Sequence, residues 1–165
     1  MSGTQRLMPR LAWDDGFALG EQGMDLAHRE FVDCVDALLT SDDEALEAAL
    51  AVFERHACTH FAQEEEAMRS SRYDSARCHV DEHAAVLESL RQVKAALAQG
   101  RTEVVRAFAV ALADWFPGHT EVMDKGLASW LARQRWGGTP MAVTRAIGAA
   151  PSRVGGPRRP VHAEA

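Results

Sequence analysis

His60 and Glu64 stand four residues apart, and so do His79 and His83. On an α-helix that spacing stacks the two side chains of a pair on one face. Either pair alone reads most simply as an ordinary solvated feature of a helix surface. Two pairs on successive helices joined by a short loop carry more information, because such helices pack antiparallel and face each other. His28, beside Ala27 and on one stripe with Phe31, turns a further imidazole toward the core, and His119 and Asp124 add another imidazole and a second carboxylate. An interior that collects five imidazoles and two carboxylates is costly, at roughly 1–3 kcal/mol for each buried polar group without a partner. A metal centre supplies the partner. Seven protein donors exceed what one ion with an open position uses, so two ions sharing bridging carboxylates is the natural count.

The elements that must position these residues are helical. Apolar residues recur at helical spacing in a first segment through Met24, Ala27, Phe31, Val35, Leu38 and Leu39. Ser41-Asp42-Asp43-Glu44 reads as a capping box that opens a second helix from about Asp43 to Ser70. Tyr73-Asp74-Ser75 marks a turn, and a third helix is expected to run through Gln99 to a left-handed cap at Gly100. Thr102 is placed to cap a fourth helix, which passes Val105, Phe108, Leu112, Trp115, Met123, Leu127 and Leu131 toward Arg135. Pro117-Gly118 lies in its middle and predicts a kink. His119 and Asp124, five apart, would diverge by about 140° on a regular helix, so the backbone between them should be locally unwound, as by a π-bulge or that kink. Four long helices with short loops make an all-α fold, an up-down-up-down antiparallel four-helix bundle over 21–136, with an N-terminal arm at 1–20.

Residues 137–165 read differently, with five Gly, four Pro and four Arg against one Glu, and no aromatic residue. That composition is expected to form a disordered tail, basic enough to touch a protein partner. The whole chain has a net charge of −6, which leaves no broad cationic surface for nucleic acid. No segment has the length and apolarity of a membrane span or a signal peptide, so a cytoplasmic protein without membrane insertion is expected. Cys34, Cys58 and Cys78 match no zinc or redox spacing and read as free thiols, with Cys58 on the face opposite His60 and Cys34 and Cys78 as small core or boundary residues. Oligomeric state is not legible.

From Trp13 to about Trp136 the chain resembles the hemerythrins, most closely the single-domain bacterial members. The motifs that carry the resemblance are Met24-Asp25-Leu26-Ala27-His28, His60-Phe61-Ala62-Gln63-Glu64-Glu65 with Met68, His79 and His83, and Trp115 followed by His119 and Asp124. The resemblance implies two non-haem iron ions. His79, His83 and His119 would hold one, His28 and His60 the other, with Glu64, Asp124 and a solvent-derived oxo or hydroxo group bridging them. The iron with two imidazoles would keep a vacant position at which O2 binds reversibly, a binding protein for carriage, storage, delivery or sensing and not an enzyme. Five imidazoles against two carboxylates favour the ferrous pair, and Phe31, Phe61, Trp115 and Phe116 are expected to wall the pocket against water. Two departures from the family pattern are Thr120, where many relatives carry a bulky apolar residue, and Pro117-Gly118; either would make the pocket wetter.

His56 and His162 take the ordinary reading of hydrogen-bonded or solvated histidines, with His56, one turn before His60, as the substitute donor; Glu65 and Glu66 read as surface charges. The competing chemistry is a metal-dependent hydrolase built on His79-Val80-Asp81-Glu82-His83, an inverted zinc-protease signature with Glu82 as general base. It leaves His28, His60, Glu64, His119 and Asp124 without a purpose. A di-iron protein that senses nitric oxide or redox state is the other alternative.

Overall fold

A computed structural model describes residues 10–136; the expectations for residues 1–9, for the tail at 137–165 and for His162 lie outside them. After a 3-10 turn at Asp15–Phe17 come α1 (Gln22–Thr40), α2 (Leu46–Ser71), α3 (Ala76–Leu97) and α4 (Thr102–His119). A π-helical turn, Thr120–Asp124, then leads into α5 (Lys125–Arg135). Each helix packs on the next, and α1 closes on α4, which gives the up-down-up-down bundle. The apolar stripes of the four long helices meet in one core that includes Phe31, Val35, Leu38, Leu50, Phe53, Leu90, Val105 and Leu112. A second, smaller cluster of Met24, Met68, Leu127 and Ala128 lies at the α5 end.

The start of α2 corrects the capping-box expectation. Ser41 closes α1, its N–H bonded to the Ala37 carbonyl, and its backbone is extended at φ −61° and ψ 150°. The physical reason sits far away in sequence: the Arg106 guanidinium donates to the carbonyls of Leu38 at 3.2 Å, Leu39 at 3.1 Å and Ser41, and so serves as the cap of α1. Residues 43–45 form a turn, and the Asp42 carboxylate accepts from Ala45 N at 3.2 Å. Arg106→Ala removes charge-assisted bonds to carbonyls that have no other donor among the described residues, and should lower the unfolding free energy by about 2–3 kcal/mol in denaturant titration.

Other ends shift by a few residues. α3 stops at Leu97, short of Gln99, yet Gly100 holds the left-handed conformation expected of it at φ +78°. Thr102 is the first helical residue and not a cap; its hydroxyl donates to Asp43 at 3.0 Å. The N-terminal arm is more apolar in its role than in its composition. Phe17 packs edge-on to Phe116 with centroids 5.1 Å apart, Trp13 packs on Phe17, and Arg29 covers Trp13. The fourth helix departs from α geometry three residues beyond Pro117, where the Lys125 N–H reaches back five residues to the Thr120 carbonyl. α5 is then tied to the end of α2 by Trp130 Nε1, which donates to the Ser71 carbonyl at 3.2 Å. At Gly126 a Cβ would stand 2.6 Å from the Tyr73 hydroxyl, so any larger residue there must displace the Tyr73 side chain.

Candidate metal centre

Seven side chains from every long helix converge between the two apolar clusters. His28 comes from the middle of α1, His60 and Glu64 from α2, His79 and His83 from α3, His119 from the last residue of α4, and Asp124 from the end of the π turn. On α1 the site lies between Met24 and Phe31, and on α2 between Ala57 and Met68, so apolar residues close it along the bundle in both directions. All seven are buried; His28, His79, His83 and Asp124 have no exposure at all. The spacing of five between His119 and Asp124 works because the π turn absorbs the extra residue, as the divergence on a regular helix required.

Each carboxylate offers one oxygen to each of two imidazole groups. Glu64 Oε1 lies 3.4 Å from His60 Nε2 and 3.8 Å from His28 Nε2, while Oε2 lies 3.4 Å from His79 Nε2 and 3.3 Å from His83 Nε2. Asp124 Oδ2 lies 3.2 Å from His28 Nε2, and Oδ1 lies 3.0 Å from His79 Nε2 and 3.3 Å from His119 Nε2. Donor atoms within 4.8 Å of one another form two groups, Glu64 with His79, His83 and His119, and Glu64 with His28 and His60. None of the contacts at His28, His79, His83 or His119 Nε2, or at either carboxylate, has hydrogen-bond geometry. Buried polar atoms left in this state are destabilising unless a cation takes them all, and nitrogen and carboxylate donors suit a first-row transition metal. The residues therefore fit a pair of metal ions.

The far sides of three of the five rings are held as well, while His79 Nδ1 is buried without a partner. His28 Nδ1 faces the Phe17 carbonyl at 3.5 Å, His83 Nδ1 faces Glu65 Oε1 at 3.4 Å, and His119 Nδ1 bonds Glu82 Oε2 at 2.6 Å. Trp115 Nε1 donates to that same Glu82 oxygen at 3.1 Å. Such outer bonds fix the tautomer that leaves Nε2 free to ligate. Sequence reasoning gives Glu82 a part only in the hydrolase alternative and reads Glu65 as a surface charge. Glu82 instead grips the outer edge of His119, away from the Nε2 cluster, and Glu65 is half-buried against His83. The available signal was position: Glu82 precedes His83, and Trp115 lies one turn before His119.

The aromatic wall is assembled as expected. The Phe61 ring stacks on His83 at 4.0 Å, Trp115 lies 4.2 Å from His119, and Phe116 stacks on Phe31 at 4.8 Å and meets His28 edge-on at 5.4 Å. A cleft of about 220 Å³ between α1, α2 and α5, lined by Met24, Ala27, Leu127 and Leu131, reaches His60 and Glu64. His56 belongs to neither donor group; it is half-buried, with Nδ1 3.4 Å from Glu30 and its ring parallel to that of His60. Cys34 is partly buried and Cys58 exposed as expected, but Cys78 is exposed and not a core or boundary residue, since it faces outward one position before His79.

Burial works against the charged forms of His28 and His79, but the pull of Asp124 and Glu64 outweighs it and raises both to about 9. Burial pushes His60 down to about 4. It would lift Glu64 and Asp124, yet the facing imidazoles hold both below the ordinary carboxylate range. In the metal-free chain the protons on His28 and His79 thus stand in for cations. Their stabilisation is complete below the ordinary imidazole value of 6.5 and is lost as the pH rises through about 9. His60 acts oppositely, its buried neutral form becoming a liability as the pH falls from 6.5 toward 4, and the depressed carboxyls add to that acid-side loss. The melting temperature of the metal-free chain should peak near pH 6.5 and fall toward pH 9. Metal loading should abolish the alkaline fall, because metal replaces the protons and binds better as they leave. A metal-free melting temperature that holds or rises across that interval would contradict this account.

The family model for the hemerythrin HHE cation binding domain matches residues 20–131. A curated relative, the bacteriohemerythrin of Ralstonia nicotianae (strain ATCC BAA-1114 / GMI1000), is 31% identical over 127 residues, covering 77% of this chain and 93% of the relative. No solved structure matches the chain with significance. The matched span holds all seven converging side chains and the π turn that brings the last of them in, and the chain belongs to the hemerythrin family.

Proposed function

We propose that the chain binds two non-haem iron ions through His28, His60, Glu64, His79, His83, His119 and Asp124 and takes up O2 reversibly at the iron held by His28 and His60. The observation that carries this reading is the pair of carboxylates that each present one oxygen to a three-imidazole group and the other to a two-imidazole group. Three imidazoles and one oxygen from each carboxylate would come close to satisfying one ion, whereas two imidazoles would leave the other with room for an exogenous ligand. Two ferrous ions at this centre would supply the electrons that bind O2 without a separate substrate. The chain's own residues supply the rest: neutral nitrogen donors that favour the ferrous state, outer hydrogen bonds that hold the His28, His83 and His119 rings, and the Phe31–Phe116 stack that covers His28 on the open side. The cleft reaching His60 gives a small apolar molecule a way in.

The test is metal content together with the near-ultraviolet and visible spectrum, recorded on the anaerobically reduced protein and again after air is admitted and removed. Two irons per chain and bands that appear with O2 and vanish without it are expected. His28→Ala and His60→Ala should each abolish the O2-dependent bands. One zinc per chain, no colour and a peptidase activity lost in Glu82→Gln would replace this reading with the hydrolase. That alternative is disfavoured by the engagement of Glu82 with His119 and Trp115. No described helix is long and apolar enough to cross a membrane. We assign the protein to the cytoplasm on its free cysteines.

A further inference from the structure

One buried polar group beside the centre has no part in holding the iron. Thr120 is 1% exposed, and its hydroxyl has no hydrogen-bond partner. A helical threonine ordinarily bonds back to the carbonyl four residues earlier; here that bond is not made, although the Phe116 carbonyl is within reach of the Thr120 N–H. Helix register says which way the residue faces. Thr120 follows Phe116 by one α turn and precedes Asp124 by one wide π turn, so the three lie in a stripe along one side of the helix. Both flanking members of that stripe touch His28, Phe116 through its ring at 5.4 Å and Asp124 through Oδ2 at 3.2 Å. Thr120 therefore lies on the His28 side of the centre, the side with fewer protein donors.

Resting on the reading above, we propose that the Thr120 hydroxyl is a hydrogen-bond donor to the small exogenous ligand at the iron held by His28 and His60, and that it selects for ligands carrying negative charge on their outer atom. A hydroxyl is both donor and acceptor, so it needs no proton transfer to serve. Left unpartnered in a buried site it is destabilising, and the ligand is the group that relieves it. A charged acceptor gains more from such a bond than a neutral one, which is the basis of the selectivity.

Azide is the probe, titrated into the diferric wild-type protein and the Thr120→Val and Thr120→Ser variants, with affinity read from the azide-to-iron absorption band. Thr120→Val should weaken azide about tenfold with iron content unchanged, Thr120→Ser should stay near wild type, and the azide infrared stretch should shift in D2O only where a hydroxyl remains. The metal-free Thr120→Val chain should melt no lower than wild type, since it loses an unpartnered hydroxyl. Wild-type azide affinity and stretch in Thr120→Val, or equal losses in both variants, would overturn the proposal while leaving the di-iron reading intact. No iron and no azide band in the wild-type protein would overturn both.

Discussion

Asp124→Asn should leave the purified chain with no more than one iron and no O2-dependent spectrum. The substitution keeps the shape of the side chain but replaces a two-oxygen anion with an amide that has one acceptor. In the folded chain Asp124 Oδ2 meets His28, while Oδ1 meets His79 and His119, so it touches three of the five imidazoles and both donor groups. Without it the three-imidazole group still has Glu64, but the two-imidazole group is left with two neutral nitrogens and one shared carboxylate oxygen. Loss of a single outer hydrogen bond at a metal ligand typically lowers affinity by about 10–100-fold, and loss of a bridging anion should exceed that. Far-ultraviolet circular dichroism checks that the helices survive. Retention of two irons and a normal O2 response in Asp124→Asn would remove Asp124 from the bridging role.

Anaerobic addition of ferrous iron to the metal-free protein should raise its melting temperature by roughly 20 °C. A ligand present at about a thousand times its dissociation constant stabilises by about 4 kcal/mol, and two such sites double this. For a bundle of this size each kcal/mol corresponds to about 3 °C. Most of the gain comes from satisfying the buried nitrogen and oxygen atoms that otherwise lack partners. Calorimetry with and without a chelator measures it; a rise of only a few degrees would show that the cluster is stable without metal and would weaken the two-ion account. Asp124→Asn should forfeit at least half of the rise, which links the two experiments.

The donor set was legible because it obeys helix arithmetic. The i, i+4 pairs His60/Glu64 and His79/His83 can point only one way once the apolar stripes of α2 and α3 are known. The π turn was legible as a contradiction, since a spacing of five is incompatible with a shared face unless the helix unwinds. What escaped depends on contacts between residues distant in sequence. Ser41 has the local pattern of an N-cap, but Arg106 captures the preceding carbonyls and holds the chain extended there. Glu82 looks like a free acid on an exposed helix until α4 lays Trp115 and His119 across it. Phe17 reads only as part of an N-terminal arm because its partner, Phe116, is encoded far away in the chain. Periodicity reports which face is buried; it does not report what that face meets.

The donors are also unevenly distributed in time. His28, His60 and Glu64 all come from α1 and α2, so the hairpin of these two helices carries one of the two donor groups, short of Asp124, before the rest of the bundle is synthesised. The other group waits for His119, and Asp124, which touches both, is the last of the seven to be synthesised. A nascent chain would thus own that local, low-contact-order donor group before it owns a bundle. Iron captured there early would be held by two imidazoles and one carboxylate, loosely enough to exchange. The π turn after α4, which brings in Asp124, would then join the two donor groups, and on the proposed di-iron reading it would commit both ions to the finished fold.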